Sequence, residues 1–204
     1  MTNRAAAAAP DITVVGAGVV GMATAWAAAR RGLSVELVDR AEGPALGASH
    51  ANGAQLSYAY TDAMAGPGLW RQIPGLLAGS DPAFRLDLAG PRAIWRWGLT
   101  LLANAGSARS RSNTLQVLGL ARESQQAMGA LLERHPIDFN HQVAGKLHLY
   151  FSEAALAAGA RMVAIKRPHG VRQEVLDAGS ARALEPALAQ VEGLRGAVYS
   201  PEEA

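Results

Sequence analysis

The sequence predicts an α/β fold near its N-terminus and an α+β arrangement overall. Two observations support this prediction. Residues 12–39 have the pattern of a strand, a glycine-rich turn, a helix and a second strand. From residue 91 onward, two helical patterns are followed by strand and short helical patterns, which is typical of an α+β layout that begins a second sheet.

The first strand and the turn after it carry the most specific signal. The residues from Ile12 to Val15 are β-branched and predict a buried strand. The spacing Gly16-x-Gly18-x-x-Gly21 follows directly. In such a turn the first glycine permits the bend, the second lets the backbone approach a pyrophosphate, and the third lets the helix pack on the strand. The motif predicts a Rossmann-like βαβ unit that binds a nucleotide.

The flanking residues agree with this interpretation. The residues from Met22 to Arg31 are rich in alanine and free of helix breakers, and Gly32 stands where a helix would end. A second buried strand is predicted from Ser34 to Val38. Asp39 closes that strand, where a dinucleotide fold places the carboxylate that accepts hydrogen bonds from the ribose hydroxyls.

The uncharged run from Ile12 to Ala29 is also long enough to be considered as a membrane-spanning helix. Its early glycines and its β-branched start argue against that alternative. We therefore predict no transmembrane segment.

Composition excludes several other classes of site. The formal charge is +2 and no dense Lys/Arg block occurs, so the sequence indicates no nucleic-acid partner. The chain has no cysteine, which excludes a disulfide framework, a thiolate nucleophile and a cysteine metal site. Its five histidines lack metal-ligand spacing, and no metal site is predicted.

The patterns divide the chain into four regions. We predict a disordered N-terminus over 1–10, a nucleotide-binding region over 11–90, a helical segment over 91–144 and the start of a second domain over 145–204. Within them, helices are expected at about 91–104, 113–134 and 153–166, strands at 145–151 and 194–200, and a short helix at 181–186. The helix at 113–134 carries Val117, Leu120, Ser124, Ala127 and Leu131 at helical spacing.

Residues 49–57, "SHANGAQLS", carry a resemblance to a known family. Together with "VVGAGVVGMATAW", "VELVDR", "IWRWGLTLLANA", "LARESQQAMGAL", "GKLHLYFSE" and "LEPAL", this segment resembles the FAD-dependent D-amino acid dehydrogenases of small-subunit type. These belong to the D-amino-acid-oxidase-like flavoproteins. The resemblance extends over nearly the whole chain in the expected order.

The resemblance implies that FAD is the cofactor and that its ADP half binds at the βαβ unit. The residues implied at the pyrophosphate turn are Val15, Gly16, Ala17, Gly18, Val19, Val20 and Gly21. Asp39 is implied to hold the ribose and Arg40 to border the adenosine. The stretch from Ser49 to Gln55 is implied to run along the pyrophosphate toward the isoalloxazine, with Ser49, Asn52, Gly53, Ala54 and Gln55 as contacts. Ala54 stands where relatives often have glycine.

The implied reaction is the oxidation of a D-amino acid to its imino acid by hydride transfer to flavin, followed by hydrolysis to a 2-oxo acid and ammonia. No catalytic residue is assigned in this chain, because the family's substrate-carboxylate arginine lies in a later segment. The second, substrate-type domain is therefore expected to be incomplete and the chain to be inactive alone. The location implied is cytoplasmic or peripheral on the inner face of the membrane, and no electron acceptor is assigned.

Several alternatives stay open at this point. An NAD-dependent dehydrogenase would share residues 1–40 but would not explain the pattern at 49–57. Two further alternatives are a non-catalytic nucleotide-binding fragment and a glycine- or sarcosine-type amine oxidoreductase. The motif "HANG" at His50 is similar to the "HAAG" at which dimethylglycine and sarcosine dehydrogenases attach flavin covalently, but we predict a non-covalent flavin.

Overall fold

The computed structural model describes residues 9–77 and 91–204. The chain divides into two compact units, Met1–Ala54 and Gln55–Ala204, which are taken separately below. Most of the N-terminus predicted to be disordered, residues 1–8, lies outside the described residues, as do residues 78–90 of the predicted nucleotide-binding region. The four predicted domain boundaries stay a prediction.

The first unit contains the predicted βαβ arrangement. Strand β1 (Ile12–Val15) is followed by helix α1 (Val19–Ala29) and strand β2 (Val35–Val38). The strands are parallel, with Ile12 opposite Val35 and Val15 opposite Val38. Gly32 has a φ of +84°, the left-handed conformation that glycine adopts readily after a helix. The prediction for residues 12–38 is confirmed in element type and order.

The expected burial of these two strands is wrong. Val15 is 84% exposed, and most other residues of β1 and β2 are also classed as exposed. Among the described residues of this unit, 9–54, the sheet has two strands, so each strand has one hydrogen-bonded neighbour there. Burial depends on what packs against a strand, which β-branched composition alone does not report.

The second unit begins with helices. Their bounds are Leu69–Leu77 for α2, Arg92–Ala103 for α3 and Ser107–Arg134 for α4. Helix α2 was not predicted, and α4 begins six residues earlier than expected. Pro91 is the N-cap of α3 rather than its first residue. Among the described residues, none of the helices combines the length and apolarity needed to cross a bilayer.

Helix α4 buries a different face from the one that carries its regularly spaced apolar residues. Its buried side chains are Ser110, Thr114 and Leu118, whereas Val117 and Leu120 are exposed. The Thr114 hydroxyl accepts a hydrogen bond of 3.0 Å from the amide of Ala63. Small polar residues allow this close approach of helix and loop, and a search for hydrophobic periodicity does not detect them.

An antiparallel sheet occupies the rest of the second unit. Its strands β3 (Lys146–Tyr150), β4 (Glu174–Asp177) and β5 (Gly196–Ser200) have the order β3-β5-β4. Helix α5 (Glu153–Lys166) follows β3, and α6 (Ala178–Leu184) follows β4. Strands β3 and β5 and helix α5 are confirmed predictions. Strand β4 was missed, and the short helix predicted at 181–186 runs from 178 to 184.

The two faces of this sheet differ in chemistry. Leu147 and Leu149 of β3 point to a core formed by Ala181, Leu188, Leu194 and Ala197. Side chains alternate along a strand, so Lys146, His148 and Tyr150 point to the opposite face. There the ring of Tyr150 lies against Gly159 of α5. Helices α6 and α5 therefore cover opposite faces of the sheet.

Residues 56–63 are fixed to this unit by several hydrogen bonds. Leu56 pairs with Ala204 through both backbone groups. The Ala59 amide donates to Oε1 of Glu203 at 2.6 Å, and its carbonyl accepts from Nζ of the buried Lys166 at 2.8 Å. This segment therefore lies in a defined position against β3 and α5.

Candidate functional site: a nucleotide-binding turn

The turn between β1 and α1 depends on glycine at two positions. Gly16 has a φ of +105°, in the left-handed region that favours glycine. A Cβ on Gly21 would overlap the carbonyl oxygen of Gly16. The spacing Gly16-x-Gly18-x-x-Gly21 thus produces the sharp bend and the close helix–strand packing that it predicts.

Helix α1 presents unpaired amides at its N-terminus. The amides of Val20 and Gly21 donate to no acceptor in the described part of the chain, and Gly18 provides no side-chain cap. The first turn of the helix carries no acidic side chain. An open cleft of about 430 Å³ is lined by residues of the turn and of α1, including Gly16, Gly18, Val19, Val20, Gly21 and Thr24. Such a helix N-terminus favours an anionic group through its free N–H donors and its dipole.

Asp39 lies at the end of β2, beside this turn. Its Oδ2 accepts a hydrogen bond of 2.6 Å from the Ala17 amide, and its Oδ1 accepts one of 2.8 Å from the Ala41 amide. These two backbone donors, Ala17 first, hold the pKa of Asp39 below its usual value, and the charge of Arg40 lowers it further. Asp39 is therefore ionised at neutral pH, and both of its oxygens act only as hydrogen-bond acceptors.

Ser49 and Asn52 organise the loop that follows β2. The Ser49 hydroxyl accepts a hydrogen bond of 3.0 Å from the Val19 amide, the first residue of α1. The Asn52 amide group donates to the Ser49 carbonyl, and its oxygen accepts from the Ala54 amide at 2.7 Å. Ala54 has a φ of +48°, a conformation that costs a residue with a Cβ but not glycine. This strain agrees with the glycine expected there from the family resemblance.

The other residues predicted to contact the cofactor lie at the surface. Arg40, His50, Gly53 and Gln55 are exposed, and Gln55 is the first residue of the second unit. The structure brings together the turn, Asp39, Ser49 and Asn52 within the first unit. Sequence reasoning missed Thr24 as a residue lining the cleft and Ala45, whose amide donates to the Ala17 carbonyl at 2.8 Å. Neither residue belongs to the glycine motif that directed the prediction.

Within residues 9–77 and 91–204, histidine and acidic side chains do not form a group of three that could ligate a metal ion. The site's chemistry is instead that of backbone donors, one carboxylate and small polar side chains.

Comparison with known proteins decides the family. The model of the family described as "FAD dependent oxidoreductase" (DAO) matches residues 11–204. The chain belongs to this family. Its members depend on FAD, and the free amides and open cleft of the turn fit the anionic ADP half of that cofactor.

Curated relatives extend the comparison. "D-amino acid dehydrogenase 2" of Ralstonia nicotianae is 41% identical over 195 residues, covering 95% of this chain and 46% of the relative. "D-amino acid dehydrogenase" of Paramagnetospirillum magneticum is 36% identical, covering 94% of this chain and 46% of the relative. The chain thus spans less than half the length of these FAD-family relatives.

Solved structures support the fold. Glycine oxidase from Geobacillus kaustophilus is 22% identical and matches with a TM-score of 0.62, over 95% of this chain and 40% of the oxidase. Glycine oxidase from Bacillus cereus matches with a TM-score of 0.54 at 20% identity. The family member described here therefore shares the mixed helix–strand fold of these oxidases.

Proposed function

We propose that this chain forms the FAD-binding part of an oxidoreductase that oxidises D-amino acids. The observation that carries the proposal is the turn itself, where free amides of α1 and the ionised Asp39 lie side by side in one unit. The identity of 41% to a D-amino acid dehydrogenase supports the substrate class.

Each predicted contact has a role in this proposal. The amides of residues 16–21 bind the pyrophosphate, with Val15 at the edge of the turn, and Asp39 accepts hydrogen bonds from the ribose hydroxyls. Arg40 borders the adenosine. Residues 49–55 run along the pyrophosphate toward the flavin ring, with Ser49 and Asn52 shaping the loop. His50 is exposed and takes no covalent bond to the flavin in this proposal.

Bound FAD supplies the acceptor for the hydride that leaves the substrate Cα. The amino acid loses two electrons and two protons and becomes an imino acid. Water then hydrolyses the imino acid to a 2-oxo acid and ammonia. The residues of this chain bind and orient the cofactor, and we assign no proton transfer to any of them.

A chimaera tests the proposal. Residues 1–204 of this chain would be joined to the remainder of the Ralstonia relative, and FAD binding and amino-acid oxidation would be assayed with an artificial electron acceptor. We expect the chimaera to bind FAD and to oxidise D-alanine but not L-alanine. The unextended chain is expected to bind FAD without turnover. A chimaera that binds FAD but oxidises glycine or sarcosine in preference to D-alanine would contradict the assigned substrate class.

We further propose that the protein acts in the cytoplasm, at the inner face of the membrane. The support is one face of α3, on which Arg92, Trp95, Arg96 and Leu99 recur at helical spacing. Trp95 is 52% exposed and Leu99 is 69% exposed, and α3 contains no acidic residue. The arginines can bind anionic headgroups, and the exposed Trp95 and Leu99 beside them can enter the membrane interface.

Vesicle co-sedimentation tests this location. The chain is expected to sediment with vesicles containing phosphatidylglycerol more than with phosphatidylcholine vesicles. The double substitution R92Q/R96Q should reduce this binding, and R161Q, on the exposed part of α5, should not. Equal binding of wild type and R92Q/R96Q to the anionic vesicles would contradict the proposal.

A further inference from the structure

The face of β3 opposite the hydrophobic core carries a second polar cluster, formed by Lys146, His148 and Tyr60. It lies wholly within the second unit, between the strand and the fixed segment 56–63. The nucleotide-binding turn uses none of these residues.

Lys146 is held in place but keeps unused donors. Its Nζ donates a hydrogen bond of 2.7 Å to the Ser57 hydroxyl and lies 5.6 Å from the centroid of the Tyr60 ring. A lysine ammonium has three N–H donors, so two stay available for a ligand. The ammonium is thus positioned without being neutralised.

Tyr60 and His148 form the rest of the cluster. Their rings stack with centroids 4.6 Å apart and an interplanar angle of 20°. Tyr60 is 60% exposed. In the described part of the chain, neither the Tyr60 hydroxyl nor the His148 imidazole makes a hydrogen bond to another residue. Both polar groups are therefore free to bind a ligand.

The charge of the cluster is positive. Lys166 and Asp62, which also lie on this side of the sheet, form an ion pair of 2.8 Å and offset each other. Lys146 has no carboxylate partner in the described ranges, since both ion pairs found there involve other residues. One uncompensated cation beside a phenol and an imidazole favours a ligand with one negative charge.

We propose that Lys146, Tyr60 and His148 bind a carboxylate, and that this carboxylate belongs to the side chain of an acidic D-amino acid substrate. The substrate assignment rests on the proposed function, whereas carboxylate binding does not. Its two oxygens accept hydrogen bonds from the Lys146 ammonium and the Tyr60 hydroxyl. The same ammonium repels a cationic side chain, so the cluster selects D-glutamate or D-aspartate over D-lysine.

Binding is measured on the whole chain by two-dimensional NMR titration with D-glutamate, D-glutamine, D-lysine and inorganic phosphate. We expect D-glutamate to shift the amides of residues 57–62 and 146–150. D-glutamine and D-lysine, which share its α-carboxylate but lack the side-chain carboxylate, should shift them much less. K146M should weaken D-glutamate binding roughly tenfold or more, the usual effect of losing a charge-assisted hydrogen bond. Y60F removes only the Tyr60 hydroxyl and should weaken D-glutamate binding several-fold. This variant tests the proposal if K146M does not fold. R161Q removes an equal charge from the exposed side of α5 and should have no effect.

Three results would overturn the inference. Unchanged D-glutamate affinity in folded K146M or Y60F would exclude the cluster as the site. Phosphate binding as tight as that of D-glutamate would show a general anion site and remove the substrate assignment. Absence of D-glutamate binding would refute the carboxylate site itself. FAD titration of the same samples separates these outcomes from failure of the proposed function. If the proposed function is wrong, FAD binding is absent while the shifts induced by D-glutamate are still seen.

Discussion

The backbone amide of Ala17 donates a hydrogen bond of 2.6 Å to Oδ2 of Asp39. Asp39, which follows β2, therefore also fixes the position of the turn after β1. Because the Ala41 amide uses the other oxygen, the carboxylate is fixed from two sides. Remaining lone pairs on both oxygens can accept hydroxyl groups of a ligand.

Substitution of Gly21 tests the packing of this turn. G21A should lower the free energy of unfolding by about 1–3 kcal/mol, because its Cβ would overlap the Gly16 carbonyl and force the helix outward. Chemical denaturation measures the change. G47A is the matched control, since a Cβ at Gly47 meets no atom within 4 Å. Equal stability of G21A and G47A would show that α1 does not need this close approach.

At Ala54, in contrast to Gly21, we expect a substitution to increase stability, because the backbone of Ala54 is in the left-handed conformation. A54G should raise the free energy of unfolding by about 0.5–1 kcal/mol, because relief of the left-handed strain exceeds the added entropy of the unfolded chain. A51G, in the same loop but without a positive φ, should lower it. Thermal unfolding distinguishes the two, and a destabilised A54G would refute the strained loop geometry.

The ion pair of Lys166 and Asp62 predicts an asymmetry between its two partners. D62A should cost about 2–3 kcal/mol, because it leaves a lysine that is 2% exposed without its counter-charge. K166M should cost less, about 1–2 kcal/mol, since Asp62 can be solvated and the main loss is the hydrogen bond to the Ala59 carbonyl. Urea denaturation compares them, with E202A of the exposed Arg172–Glu202 pair as a nearly neutral control. A larger loss in K166M than in D62A would contradict this account.

His148 makes stability depend on pH. Its pKa lies below the usual value, because the ring is partly buried and because Lys146 and Lys166 repel the added proton, against an opposing effect of Asp62. Below about pH 6.5 the unfolded chain binds a proton that the folded chain does not, so the free energy of unfolding falls on acidification. Above that pH the contribution is constant.

The substitution H148N should flatten this decline between about pH 7.5 and 5.5. Denaturation curves at both pH values provide the comparison. Identical slopes in wild type and H148N would show that His148 titrates alike in the folded and unfolded chains.

The sequence predicted best what is decided locally. The β-branched residues of β1, the glycines of the turn and Gly32 after α1 each determine backbone conformation within a few residues. Strand β4 was missed because its four residues, Glu174 to Asp177, form a strand only through pairing with β5, about twenty positions away. The hydrogen bond from Val19 to Ser49 is equally non-local.

The family resemblance predicts Ser49 and Asn52 as cofactor contacts, but it does not indicate which hydrogen bonds their side chains make. Both side chains bond to the backbone of the site, so they shape the loop rather than only line it. The sequence pattern identifies Lys146 and His148 only as residues of a predicted strand. Their proximity to Tyr60 arises from packing of residues far apart in sequence, which no local pattern reports.

The most direct test of the nucleotide-binding turn is calorimetric titration of wild type and D39N with ADP and with 2′,3′-dideoxy-ADP. Loss of the turn's own hydrogen bonds in D39N affects both ligands alike, so it cancels in the ratio of their affinities. If Asp39 holds the ribose, wild type should bind ADP about tenfold more tightly than the dideoxy ligand, and D39N should discriminate little. The same preference for ADP in both proteins, or none in wild type, would contradict the role of Asp39 in binding the ADP half of FAD.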